Sequence, residues 1–378
     1  MPRPRVAALS VVVVLMLVWI SVVASTGDHC PLSTARALAD ETESAEPFID
    51  YSDHRDLMQV RDAAGARQSI RTVTDWERRR RHVVVNLQRV TGSLPNRREA
   101  VPLDLKTVAE VRVGDLVRRK ITFQSDAQDR VPAYVMFPPK RFTGKRPAML
   151  CLHQTTAVGK DEPAGIRGAA HLKYALELVE RGYVMIVPDY PSFGEHAYDF
   201  QSHPEYISGT LKAVWDNIRA VDVLETLAEV DRERIGVIGH SLGGHNAMFT
   251  AVFEPRLKVI VSSCGFTTFR KDDLPSWTGP TYMPRIASLF ANDVTRVPFD
   301  FEEIVAAFAP RPFFASAAER DNDFDVSGVR EVMESAAMVY RLHGVGDRLA
   351  AFYPPTEHAF PPEARQKSYE FLDRYLKP

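Results

Sequence analysis

The chain has 378 residues, with 47 lysines and arginines against 49 aspartates and glutamates, 45% hydrophobic residues and three cysteines. This near-neutral balance leaves no electrostatic footprint for nucleic acid, and Cys30, Cys151 and Cys264 are too few and too scattered for a disulfide framework. No CxxC or HExxH spacing offers a metal site, so neither metal nor organic cofactor is expected, and an aliphatic core must supply the stability.

Arg3 and Arg5 precede an uncharged, apolar stretch at 6–24, the pattern of an export signal. The stretch is also close to the roughly 20 residues that span a bilayer, which leaves an uncleaved membrane anchor as the alternative. Residues 1–27 are therefore read as signal peptide or anchor, and the protein as secreted, held in the cell envelope or attached to a membrane. Residues 28–53, polar and without periodicity, are read as a linker.

The stretch 54–115 is expected to form an N-terminal helical extension. Its mark is a capping pattern at Thr74-Asp75-Trp76-Glu77, followed by Trp76, Val83, Val84, Leu87 and Val90 at helical spacing up to Gly92. Arg78 to Arg81 lie inside this helix and are expected on its solvated face. From residue 116 onward the pattern changes. Two β-rich runs, 117–123 and 131–137, flank a polar turn and predict an antiparallel pair at a sheet edge. Short apolar strands follow at 148–153, 183–188, 235–239, 259–263, 312–317 and 350–353. Helical stretches alternate with them near 169–181, 209–228, 244–253 and 329–342, and one at 363–376 closes the chain. Continuously apolar strands interleaved with helices predict an α/β fold, a mostly parallel sheet covered on both faces, over 116–378. The aromatic- and proline-rich interval at about 266–310 breaks the rhythm and is expected to be an inserted cap segment.

The chemistry concentrates at Gly239-His240-Ser241-Leu242-Gly243-Gly244, which follows a predicted strand and opens a predicted helix. A serine on so sharp a strand-to-helix turn needs small neighbours at minus two and plus two, and Gly239 and Gly243 provide them. The hydroxyl needs a base to take its proton, and the base needs a carboxylate to hold its ring. Apart from the nearby His245, two later histidines compete. His343 stands at a helix end, whereas His358 lies just past the last strand and before the final helix, where the base belongs. The acid follows the preceding strand, where Glu319, Asp321, Asp323 and Asp325 compete. Asp321 is favoured, Asp323 is the alternative, and Asp325 suits a helix cap.

The oxyanion needs two N–H donors, expected from Leu242 and, in the loop Leu152-His153-Gln154-Thr155, from Gln154. His153 is read as a structural hydrogen-bonding residue, and the spacing of His240 and His245 argues against a metal shared between them. Tyr190, Phe193, Trp277, Tyr282 and Met283 lie in segments expected to border the site, where aromatic faces can stack on sugar rings or simply build local cores.

From about residue 131 to 376 the chain resembles the α/β-hydrolase superfamily, in the broad group of dienelactone-hydrolase-like and acetyl-xylan-esterase-like enzymes. The resemblance rests on RPAMLCLHQT at 146–155, PDYPSFGEH at 188–196, WDNIRAVDVLETL at 215–227, IGHSLGGHNA at 238–247, FAPRPFFASAAERDNDFD at 308–325 and EHAFP at 357–361. It implies a serine, aspartate and late histidine acting as a triad, in agreement with Ser241, Asp321 and His358. His153-Gln154 departs from the usual His-Gly of the oxyanion loop, so the second donor stays open. About a hundred N-terminal residues are too few for the propeller that precedes peptidases of the prolyl-oligopeptidase type. The expectation is an exported serine hydrolase cleaving carboxylic esters, with an esterified plant polysaccharide as the leading substrate class. The alternatives are a general carboxylesterase, a serine peptidase, or an inactive hydrolase fold kept as a binding module.

Overall fold

A computed structural model describes residues 48–377. The expected leader at 1–27, Cys30 and most of the expected linker lie outside the described residues.

The first described residues already belong to the packed body. Ile49 and Tyr51 are buried, inside the stretch expected as linker. A small antiparallel pair follows, β1 (Gln59–Arg61) with β2 (Arg67–Ser69), and then helix α1 (Val73–Thr91). The capping box of α1 starts two residues earlier than the sequence pattern implied, at Thr72 and not Thr74. Thr72 is the N-cap, its hydroxyl accepting from the Asp75 N–H while the Asp75 carboxylate accepts from the Thr72 N–H. Trp76, Val83, Leu87 and Val90 are fully buried, as the helical spacing requires.

The arginine run of α1 is only partly the solvated face expected: Arg81 is exposed and Arg78 half-buried, but Arg79 and Arg80 turn inward. Arg79 is wholly buried, paired with Glu303 and covered by the Tyr51 ring, and Glu303 also bonds His54 Nδ1 at 2.9 Å. Arg80 donates from Nε to the Ala307 carbonyl at 3.0 Å. The reason is that α1 packs on α6 (Phe301–Ala306), whose acidic residues no local pattern connects to a helix over two hundred residues away.

The main sheet has nine strands: β3 (Lys106–Val113), β4 (Leu116–Gln124), β5 (Arg130–Phe137), β6 (Arg146–Leu152), β7 (Val184–Pro188), β8 (Val230–His240), β9 (Leu257–Ser263), β10 (Phe313–Ser316) and β11 (Leu349–Phe352). Across the sheet the order is β3-β4-β5-β7-β6-β8-β9-β10-β11. The pairs from β3 to β7 are antiparallel and those from β7 to β11 are parallel. This is the mostly parallel α/β sheet the alternating pattern predicts. Strand β3 falls within the segment expected to be a helical extension. All eight of its residues are exposed and a bulge interrupts its pairing with β4, so no alternation of burial marks it in the sequence.

Helices cover both faces. On one side α3 (Gly209–Thr226), α4 (Leu242–Phe253) and α7 (Val326–Leu342) bury Leu150, Ile186 and Val237 of the strands. On the other, α2 (Tyr174–Glu180) and α8 (Pro362–Leu376) bury the alternate residues Met149, Met185 and Ile238. Each such large apolar side chain contributes roughly 1.5–3 kcal/mol on burial. The aromatic-rich interval stands between β9 and β10, where it forms short turns, α5 (Arg285–Ser288) and α6. Among the described residues no helix is long and apolar enough to cross a membrane.

Candidate active site

Strand β8 ends at His240, α4 begins at Leu242, and the whole turn between them is one residue. Ser241 has φ 54 and ψ −122, a conformation disfavoured for a residue with a Cβ. Its backbone is fixed by its N–H donating to the Ser263 carbonyl at 2.8 Å and its carbonyl accepting from Gly244 at 2.7 Å. The two flanking glycines are required by contact. A Cβ on Gly239 would meet the Gly243 carbonyl oxygen at 2.1 Å, and one on Gly243 would meet the Leu152 carbonyl oxygen at 2.1 Å. The second contact lays the end of β6 and the start of the following loop, through the carbonyls of Leu152 and His153, against the first turn of α4.

His358 follows β11, and its Nδ1 lies 2.9 and 3.0 Å from the two oxygens of Asp321, which follows β10. Asp323 is 3.7 Å from the same nitrogen and its side chain is 65% exposed, whereas that of Asp321 is 1% exposed. Of the two acids that the sequence left open, Asp321 is the one that bonds the ring. Asp321 is itself fixed by accepting the N–H groups of Asp323 and Phe324. Asp325 caps α7 by accepting from Ser327 N–H at 2.7 Å.

Burial disfavours the charged form of His358, but the hydrogen bond and charge of Asp321, with help from Asp323, outweigh it and raise its pKa above the ordinary value. Burial likewise opposes ionisation of Asp321, and the bond to His358 prevails and lowers its pKa. His240 touches the His358 ring at 5.0 Å between centroids. Burial, reinforced by the neighbouring His358, pushes its pKa down to about 3, so it is a neutral packing group. Cys264, also buried, donates from Sγ to the Ala359 carbonyl beneath the pair, and burial pushes its pKa up to about 12.

His153 accepts the Tyr190 N–H at Nε2 (2.9 Å) and donates from Nδ1 to the Gln154 carbonyl (2.6 Å), which makes it a neutral brace for the oxyanion loop. Tyr190 packs with Ala213 and Leu242, and its hydroxyl donates to the Thr281 carbonyl. Phe193 contacts His153 and Tyr190 edge-on. Neither of these two aromatics, expected to border substrate, is among the described residues that line the cavity at Ser241. Met283 is fully buried.

Ser241 opens onto a cavity of about 430 Å³ that Thr155, Leu242, Trp277 and Tyr282 also line. The same wall holds His245, Asp272, Asp273, Asn322, Asp323 and Phe324. Of these, only His245 and Asp323 carry an expectation from the sequence, His245 as a histidine near the nucleophile whose spacing argues against a metal and Asp323 as the alternative triad acid. The paired carboxylates inside an aromatic-rich insertion were the available signal.

Among the described residues two groups have metal-ligand spacing: Cys264, Asp321 and His358, and Asp129, His196 and Asp216. In the first, carboxylate and imidazole already bond each other. In the second, Lys212 Nζ lies 2.6 Å from Asp129 and 2.5 Å from Asp216, and supplies the positive charge.

A sequence model described as "Glucuronyl esterase, fungi" matches residues 192–344. The chain is 27% identical over 306 residues to the "Putative hydrolase YtaP" of Bacillus subtilis (strain 168), spanning 77% of this chain and 97% of that protein. It is 25% identical over 200 residues to 4-O-methyl-glucuronoyl methylesterase 1 of Wolfiporia cocos (strain MD-104), spanning 47% of this chain and 49% of that one. In structure it is similar to a glucuronoyl esterase from Solibacter usitatus, with a TM-score of 0.67 and 17% identity over 84% of this chain and 96% of the other.

Proposed function

We propose that this chain, which has the fold of its esterase structural neighbours, is a serine hydrolase whose substrate is an ester carried on a carbohydrate, and that Ser241, His358 and Asp321 perform the reaction. In this mechanism His358 Nε2 takes the proton of Ser241 Oγ as the oxygen attacks the ester carbonyl. Asp321 holds the imidazole through Nδ1 and stabilises its charge. The Leu242 N–H, at the start of α4, and the Gln154 N–H receive the oxyanion, and each such donor lowers the barrier by roughly 3 kcal/mol. The imidazolium then protonates the departing alcohol, and water, activated by the same ring, releases the acid from the acyl-enzyme.

The observation that carries this reading is a serine held at a positive φ on the wall of a cavity, directly after His240, whose ring packs on a histidine that a buried carboxylate grips through Nδ1. The carbohydrate part draws on the match to glucuronyl esterases over 192–344, which contains Ser241 and Asp321, and on Trp277 and Tyr282 facing the cavity. The cationic and apolar stretch at 3–24 supports action outside the cytoplasm, where polysaccharide esters are met.

The test is a substrate panel with the purified protein: acetate release from acetylated xylan, methanol release from methyl glucuronate, and cleavage of short aryl esters and of peptides. A carbohydrate esterase releases acetate or methanol from the sugar substrates and leaves peptides intact. Turnover of aryl esters alone would point to a general carboxylesterase instead.

A further inference from the structure

The oxyanion proposed above forms between the start of α4 and the loop after β6, and one side chain touches both. Tyr282, in the segment between β9 and β10, packs its ring on the cluster of Leu242, Tyr190 and Ala213. Its hydroxyl lies 3.3 Å from the hydroxyl of Thr155, the residue after Gln154. Tyr282 and Thr155 both line the cavity onto which Ser241 and Leu242 open. The contact between the two hydroxyls is exposed, so a bound substrate can reach it.

Tyr282 is held in place by the protein itself. Its N–H donates to the Gly279 carbonyl at 2.9 Å, and its carbonyl accepts from the Thr210 N–H at 3.2 Å. The Gly209 N–H donates to the Pro280 carbonyl at 2.9 Å, and the Tyr190 hydroxyl donates to the Thr281 carbonyl at 2.7 Å. A Cβ on Gly209 would meet the Thr281 carbonyl oxygen at 2.3 Å, so the start of α3 admits this segment only because a glycine stands there. The ring also rests against His245, at 6.0 Å between centroids. A donor fixed in this way costs no reorganisation when charge develops in front of it.

Two hydroxyls that pair with each other use one O–H between them and leave the second free. Among the described residues neither has another protein partner. When Thr155 supplies the shared proton, the free O–H is the phenolic one, a stronger donor than an alcohol and polarised further by the bond it accepts. The cavity wall carries Asp272, Asp273 and Asp323 and, among the described residues, no lysine or arginine. Negative charge on the substrate oxygen therefore depends on neutral donors.

We infer that Tyr282 is a catalytic residue, whose hydroxyl donates to the oxyanion of the tetrahedral intermediate beside the backbone N–H groups, with Thr155 orienting it. The proton stays on the tyrosine: the hydrogen bond strengthens as the carbonyl oxygen gains charge and weakens as the carbonyl re-forms. The inference rests on the triad and ester reading above.

The experiment measures kcat and KM for p-nitrophenyl acetate in native protein and in Tyr282→Phe, which keeps the ring and its packing and removes one oxygen. An oxyanion donor acts on the transition state, so kcat should fall by about 10²-fold with KM within about threefold of native. A trifluoromethyl ketone, whose adduct with Ser241 carries the same oxyanion, should bind more weakly by about the factor by which kcat/KM falls. Ring packing alone predicts no such parallel loss. A fall in kcat of less than about fivefold, or a loss confined to KM, overturns the inference. Should Tyr282→Phe fail to fold, Thr155→Val, at an exposed position, carries the test. Without its partner the tyrosine hydroxyl loses its orientation, and kcat should drop by about fivefold or more; a smaller drop overturns the inference. Fluorophosphonate labelling separates the two readings. An unlabelled Ser241 in native protein would bring down the triad itself, whereas a labelled Ser241 with an unmoved kcat in Tyr282→Phe would bring down only the role of Tyr282.

Discussion

The ring of His240 lies 5.0 Å from the ring of His358, and His240 is the residue immediately before Ser241. Contact between them ties the end of β8 to the loop after β11. On the other side His240 stacks on Phe360, two residues beyond His358. The elbow and the late histidine are therefore one packed unit, although 117 positions of sequence separate Ser241 from His358.

If this unit is the reacting centre, Ser241→Ala and His358→Ala should each lose on the order of 10⁴–10⁶-fold in kcat while unfolding at unchanged denaturant concentration. Covalent labelling by a fluorophosphonate should disappear in Ser241→Ala. Full labelling of that variant would place the nucleophile elsewhere.

The two candidate acids make opposite predictions. Asp321→Asn should cost on the order of 10²–10⁴-fold in kcat, because an amide cannot stabilise the imidazolium or enforce its tautomer. Asp323→Asn, at 3.7 Å and mostly exposed, should stay within about fivefold. Esterase kinetics on an aryl acetate separates the two.

The reaction needs His358 neutral, and Asp321 raises its pKa. The acidic limb of the kcat/KM profile should accordingly lie above the ordinary histidine value of about 6.5. Removing the carboxylate removes the stabilisation of the charged ring, so in Asp321→Asn the limb should move to lower pH even as the plateau falls. A limb that stays in place would mean that another group titrates.

His54 connects the N-terminal segment to α6 through Glu303. Burial lowers its proton affinity, but Glu303 prevails and its pKa rises to about 9. The folded state thus holds this proton more tightly than the unfolded chain does. Its stabilisation is complete below about pH 6.5 and is lost as pH climbs to about 9, a change on the order of 3 kcal/mol. Denaturant unfolding at pH 6 and pH 9 should show that decline, and His54→Gln should flatten it.

The glycine at the elbow offers a packing test. Gly243→Ala sets a methyl against the Leu152 carbonyl oxygen and should destabilise by about 2–4 kcal/mol, with loss of activity as the oxyanion loop is displaced. Gly346→Ala, which meets only the Arg341 side chain at 3.7 Å, should change stability by no more than about 0.5 kcal/mol.

Read alone, the sequence determined the α/β architecture, because continuous apolar runs between amphipathic stretches can be buried only in a covered sheet. It also located the elbow, since Gly239 and Gly243 beside Ser241 are legible as local backbone necessities, and it placed His358 by its position after the last strand. Only the tertiary structure shows that Asp321, and not its neighbours, bonds the imidazole of His358, because which carboxylate reaches the ring depends on how two loops from separate strands meet. The same holds for the buried pairing of Arg79 with Glu303, for β3 with its wholly exposed edge, and for the packing of His245 against Trp277 and Tyr282. Each depends on contacts between residues far apart in the chain, and no periodicity or motif along the chain encodes them.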